Sequence, residues 1–293
     1  MNRRIALILA LFLACFVDWS GAARAASPPA RFSVVTEGKG RDVIFIPGLN
    51  SDRKVWDGAV ASLGGKYRVH RLQVAGFAGS PAGPNANGEL LAPLVEELDA
   101  YIKAGHLERP VIVGHSMGGL IALMLASRHP ESVGRVLVVD ALPFYSLLMS
   151  PAATVETAKP QAAQLRDMLA TMPEEAYRAQ AARSAAMLIK NDAARPAVEA
   201  SVLASDRRVT AEAVYEVMTT DARPLLGGIK APVTIAYATN AFAPEATVGP
   251  LYRSSYAGAS GAKLVPVEDS YHFIMLDQPA RFQAILKDVL ETR

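Results

Sequence analysis

Short uninterrupted apolar runs alternate along this chain with longer stretches whose apolar residues recur every three or four positions. Asp42-Val-Ile-Phe-Ile-Pro47, Pro110-Val-Ile-Val-Gly114 and Val136-Leu-Val-Val-Asp140 show no polar alternation, the pattern of strands buried on both faces. Tyr67–Gln73, Val233–Tyr237 and Lys263–Val267 complete the predicted strands. Between them, residues 89–104 place Leu90, Leu91, Leu94, Val95, Leu98 and Ile102 on one stripe of a helix, as a surface helix requires. Residues 117–128 are apolar nearly all round and predict a core helix, and further helices are expected at 245–256 and 279–290. Strands alternating with helices argue an α/β fold, a mostly parallel sheet covered on both faces.

The alternation stops between Ala141 and about Gly228. This stretch is rich in Ala, Glu, Arg and Met, and Pro151, Pro160, Pro173, Pro196 and Pro224 are expected to cut it into short helical pieces. It reads as a helical cap, residues 141–229, inserted between a first core segment, 26–140, and a second, 230–293. Met149, Met168, Met172, Met187 and Met218 fall in it; they either line a pocket tolerant of varied apolar ligands or pack the cap onto the core.

The N-terminus follows neither pattern. Arg3 and Arg4 precede an apolar run from Ile5 to Val17, whose 13 residues would span about 20 Å as a helix, short of the ~30 Å of a bilayer core. With Ala23-Arg24-Ala25 behind it, the run reads as a signal peptide over residues 1–25, and the protein is expected to be periplasmic or secreted. An uncleaved anchor is the alternative. Lipidation at Cys15 is a third reading, with Phe12-Leu13-Ala14 a poor approach to it.

Composition narrows the function. The 293 residues are 51% hydrophobic and contain one cysteine, too apolar for disorder and too poor in cysteine for a disulfide framework or a Cys-rich metal site. Cleavage after Ala25 would remove that cysteine. It would also take three arginines and one aspartate, and so bring the formal charge of +2 to zero. A neutral chain without basic clusters lacks the electrostatic footprint of a nucleic-acid binder, and no stable membrane partner is expected.

Gly114-His115-Ser116-Met117-Gly118 lies between a predicted buried strand and the predicted core helix. G-x-S-x-G in that position is a nucleophile elbow, which holds a serine on a strained turn above the sheet edge while the glycines let strand and helix approach. With Ile46-Pro47-Gly48-Leu49, Val138-Val139-Asp140 and Ser270-Tyr271-His272-Phe273, the chain resembles the α/β-hydrolase superfamily, specifically its lidded serine esterase and lipase-like members. The resemblance runs from about Phe32 to Leu290. It departs where members usually carry His-Gly and this chain has Pro47-Gly48.

A serine needs a base to become a nucleophile. Of five histidines, His70, His106 and His129 read as structural or solvated, and His115 as a packing residue. His272 occupies the loop after the last strand, where the resemblance implies the base. The acid that orients it usually follows the strand corresponding to Val233–Tyr237, but Asn240 stands there. Another branch carries the acid one strand earlier, and Asp140 occupies that position; Asp269, Glu268 and Glu245 are the other candidates. The resemblance implies oxyanion donors at the N–H groups of Leu49 and Met117, with Asn50 as a possible helper. Phe144, Tyr145, Leu147, Leu148 and Phe242 are candidate pocket residues, with hinge packing the other reading of those that follow Asp140. These features imply a secreted or periplasmic serine hydrolase acting on neutral or apolar carboxylic esters through Ser116, His272 and Asp140, without metal or organic cofactor. Lactone, thioester, amide or carbon–carbon cleavage on the same triad is the nearest alternative. A non-catalytic binding protein of the same fold, motivated by Asn240 and Pro47, is the rival from another class.

Overall fold

The computed structural model describes residues 30–292, and the expected signal peptide at 1–25 lies outside them. Seven strands form one sheet: β1 (Phe32–Glu37), β2 (Asp42–Ile46), β3 (Arg68–Val74), β4 (Val111–His115), β5 (Arg135–Val139), β6 (Val233–Ala238) and β7 (Lys263–Val267). Their spatial order is β1-β3-β2-β4-β5-β6-β7. Only β1 runs antiparallel, pairing Phe32 with Val74 and Glu37 with Val69; every other pair is parallel. The periodicity does not predict β1. As an edge strand with Ser33, Val35, Thr36 and Glu37 in solvent, it carries too little apolar signal.

Successive side chains of the buried strands feed two cores. Ile44 and Ile46 join the helices on one face, while Val43 and Phe45 join those on the other, as the two-residue period of a strand requires. The first face is covered by α2 (Leu91–Ala104) and α3 (Met117–Arg128), and the second by α1 (Asp57–Ser62) and the C-terminal helix Pro279–Glu291. Every residue of α3 from Met117 to Ala126 is buried, which explains why its sequence shows no polar face.

Four helices lie between β5 and β6: α4 (Val155–Thr171), α5 (Glu174–Leu188), α6 (Arg195–Leu203) and α7 (Arg207–Thr219). The expectation of short pieces is corrected for α4 and α5, of 17 and 15 residues. Pro160 sits inside α4 without ending it. A proline there removes one backbone hydrogen bond, but α4 packs along α7 and buries Ala158 and Ala162 on either side of the ring, so tertiary packing carries the helix through. Pro173 and Pro196 do fall where predicted, at the starts of α5 and α6. The next helix, α8 (Glu245–Ser255), precedes β7, and α9 (Ile274–Asp277) and α10 (Pro279–Glu291) close the chain.

Chain order and spatial order diverge at one place. From β2 the chain moves outward to β3 and then returns across β2 to β4, so the connections leaving the carboxyl ends of β2 and β4 run to opposite sides. In open α/β sheets the crevice at such a switch point is where ligands bind. The turn at 47–50 and Ser116 both lie there.

Candidate active site

Ser116 follows β4 directly, with φ 54° and ψ −123°, a left-handed conformation that costs a residue bearing a Cβ of order 1–3 kcal/mol. Strand and helix hold it in place. Ser116 N–H donates to Val139 at 3.0 Å, and its carbonyl accepts from Gly119 at 2.7 Å in the first turn of α3. The turn closes only because a Cβ on Gly114 would collide with the Gly118 carbonyl, and one on Gly118 with that of Ile46. Those contacts place α3 against the ends of both β2 and β4.

Asp140, the residue after β5, also has positive φ, at 46°. Its Oδ2 lies 2.7 Å from His272 Nδ1, and its Oδ1 accepts from the Ala238 N–H at 2.9 Å and from the Tyr252 hydroxyl at 3.1 Å. The carboxylate is thus fixed from β6 and α8 while facing the imidazole. A carboxylate only accepts, so Nδ1 carries the proton and Nε2 is left free to take one. Burial and the Asp140 charge push the Tyr252 hydroxyl well above its ordinary range, so it stays a neutral donor.

The other acid candidates are engaged elsewhere. Asn240 donates to the Ser270 carbonyl at 2.9 Å and accepts from the N–H groups of Phe242 and Ala243, closing the loop after β6. Glu245 accepts from Tyr237 at 2.8 Å and pairs with Arg253. Glu268 and Asp269 are exposed, with Asp269 paired to Lys190.

His115 is fully buried between Trp56, His272 and Phe273. Beyond the packing expected of it, its Nε2–H donates to the His272 carbonyl at 3.0 Å. His70 pairs with Asp42 at 2.9 Å and His129 with Glu96 at 2.9 Å, both away from the site. Met117 follows Ser116 directly and Leu49 lines the same cavity as the serine, and neither N–H is among the hydrogen bonds made by the described residues. Asn50 is buried, and its Oδ1 accepts from the Thr210 hydroxyl at 2.7 Å, tying the turn to α7.

Two cavities meet at His272. The first, about 280 Å³, is lined by Leu49, Asn50, Ser116 and His272 at its base and by Leu165, Leu169, Tyr177, Leu188, Val202 and Val214 from α4 to α7. The second, about 510 Å³, contains His272, Asp140, Tyr145 and Tyr252 but not Ser116, and has exposed Leu148, Met187 and Phe242 at its edge. A larger groove of about 770 Å³ beside Arg53, Asp57 and Arg71 touches none of these residues.

The pocket expectations need correcting here. Phe144 lines neither cavity. It is wholly buried in the core, with the Arg223 guanidinium 5.0 Å from its ring centre, because the apolar run after Asp140 turns inward to anchor the connection. Leu147 is buried in the same core. Phe242 is 88% exposed at the rim of the second cavity. The methionines do not line the first cavity, whose apolar wall is built of leucine and valine. Tyr145 does reach the site, and its hydroxyl donates to Ser116 Oγ at 3.4 Å. Nothing in a tyrosine 29 positions from the serine signals that contact in sequence.

The alpha/beta hydrolase fold family matches residues 43–279. The chain belongs to that family. As an α/β-hydrolase-fold protein it superposes on an enol-lactonase from Burkholderia xenovorans with a TM-score of 0.72 at 20% identity, over 89% of this chain and 96% of that one. A thermophilic esterase from Thermogutta terrifontis gives 0.73 at 18% identity, over 88% and 92%. In sequence, the chain is 34% identical over 113 residues to a pimeloyl-acyl-carrier-protein methyl ester esterase of Aeromonas hydrophila, which is 39% of this chain and 42% of that protein. The chain thus matches less than half the length of that relative.

Proposed function

We propose that this α/β-hydrolase is a serine ester hydrolase that works outside the cytoplasm. The observation that carries the reading is the 2.7 Å pair of Asp140 and His272 beside a serine held at φ 54°. Ser116 Oγ attacks the ester carbonyl while His272 Nε2 takes its proton, and Asp140 stabilises the imidazolium that forms. The N–H groups of Leu49 and Met117 receive the oxyanion. His272 then protonates the departing alcohol, and water deacylates the serine through the same groups.

The two cavities support an allocation of the substrate. The acyl group occupies the first, which contains both Ser116 and the oxyanion turn, and the alcohol leaves through the second, which reaches His272 but not Ser116. The first cavity carries no charged side chain, in keeping with a neutral or apolar acyl group. Likeness to a methyl ester esterase supports ester chemistry. Export rests on Arg3, Arg4 and the apolar run ahead of Ala25; protein recovered from outside the cytoplasm should begin at Ala26.

The test is hydrolysis of p-nitrophenyl esters of graded acyl length by the protein and by Ser116→Ala. The protein should turn over short and medium chains, and the variant should lose all activity. A protein inactive on every ester, and unlabelled by a fluorophosphonate, would remove this reading.

A further inference from the structure

Among the groups around Ser116, one has no part in the mechanism above. The Tyr145 hydroxyl donates to Ser116 Oγ at 3.4 Å, from the start of a short turn at Tyr145–Leu148. Its neighbours leave it little freedom. Phe144 is wholly buried in the core, and the Ser146 hydroxyl donates to the Met218 carbonyl of α7 at 2.6 Å. The tyrosine is therefore fixed on both sides along the chain, with its oxygen on the nucleophile.

We propose that Tyr145 is a catalytic residue of the deacylation step, donating a hydrogen bond to Ser116 Oγ as that oxygen departs from the acyl group. This rests on the ester-hydrolase reading. In deacylation, water forms the new C–O bond and gives a proton to His272 Nε2. The tetrahedral intermediate then breaks its bond to Ser116 Oγ, which takes the bonding pair and recovers the proton from His272. Tyr145 keeps its own proton throughout and supplies only a donor where negative charge grows. Burial pushes its hydroxyl well above the ordinary range, which keeps that donor in place at any working pH. Donors aimed at developing charge act far more on the transition state than on the ground state. During acylation the same bond falls on a lone pair of the attacking oxygen, where it does not help attack, so the benefit is confined to the second half of the cycle.

The experiment compares wild type and Tyr145→Phe on p-nitrophenyl acetate by stopped flow, with active sites counted by fluorophosphonate labelling. Deacylation should become limiting in the variant. A burst of nitrophenol close to one per labelled site should appear, kcat should fall about 10- to 100-fold, and KM should fall with it. The acylation ratio kcat/KM should stay within about threefold of wild type, as expected when only the later step is slowed. Equal losses in kcat and kcat/KM without a burst would overturn the proposal and leave Tyr145 as a residue that positions the serine. Unchanged kinetics would overturn it as well. A wild-type protein that neither hydrolyses the ester nor labels would instead remove the ester-hydrolase reading, and this inference with it.

Discussion

The rings of His115 and His272 lie with centroids 4.5 Å apart, and His115 Nε2–H donates to the His272 backbone carbonyl at 3.0 Å. The residue before Ser116 thus holds the main chain of the candidate base, 157 positions away. Because that carbonyl only accepts, the His115 proton sits on Nε2 and Nδ1 is bare. Burial first, and the neighbouring His272 second, hold its pKa well below the ordinary value.

Replacing His115 with leucine should therefore cost on two counts. The stranded His272 carbonyl costs about 1–3 kcal/mol, which lowers the melting temperature by several degrees for a protein of this size. Freed from its anchor, His272 should lose alignment, and kcat should fall about tenfold. Thermal melts and ester kinetics on the same preparation check both.

The same histidine makes stability depend on pH. Unfolded, it binds a proton below about pH 6.5; folded, it stays neutral to a lower pH. The unfolded state then binds more protons, so stability is full above about pH 6.5 and falls as pH drops below it, by up to about 1.4 kcal/mol per pH unit. Denaturant melts from pH 7.5 to 5 should show this slope in wild type, and a shallower one in His115→Leu.

Asp140→Asn should lower kcat by about four orders of magnitude while leaving the fold intact. An amide at this site can still accept from Ala238 and Tyr252 through its oxygen. Doing so turns its NH₂ toward His272 Nδ1, which must then give up its proton, and Nε2 becomes protonated and useless as a base. Near-normal turnover in the variant would send the search for the acid elsewhere.

Filling the first cavity should change chain-length preference without touching chemistry. Val214, on α7, is part of its apolar wall. In Val214→Phe, each methylene that no longer fits should cost about 0.8 kcal/mol, or about fourfold in kcat/KM, while acetate esters should react as in wild type. A profile of p-nitrophenyl esters from acetate upward reads the shift.

What the sequence disclosed depended on how local the cause was. The elbow was legible because Gly114, Ser116 and Gly118 answer to a turn between two adjacent elements, and Asp140 because it ends an unmistakable buried strand. The two strand-and-helix boundaries on either side of Ser116 fell within a residue of their predicted places. Strand β1 escaped because its pairing partner, not its own composition, makes it a strand. The continuity of α4 through Pro160 escaped because α7 sustains it. The contacts of Tyr145 with Ser116 and of His115 with His272 join residues far apart in sequence, and neither changes the local pattern. The inner wall of the first cavity belongs to the same class, since Leu165, Val202 and Val214 come to share a cavity with Ser116 only after four helices have folded across the sheet.

The close contact of Gly118 with the end of β2 has a consequence for how such a protein diversifies. It sets the spacing of the 47–50 turn and Ser116 from within the sheet, through two neighbouring strands and one helix, whereas helices α4 to α6 supply only wall above. Chemistry and selectivity are therefore inherited through separate stretches of chain. The stretch from α4 to α6, which holds neither Asp140 nor Tyr145, can be rewritten, or exchanged for one of another length, and the geometry around Ser116 beneath it has no reason to change.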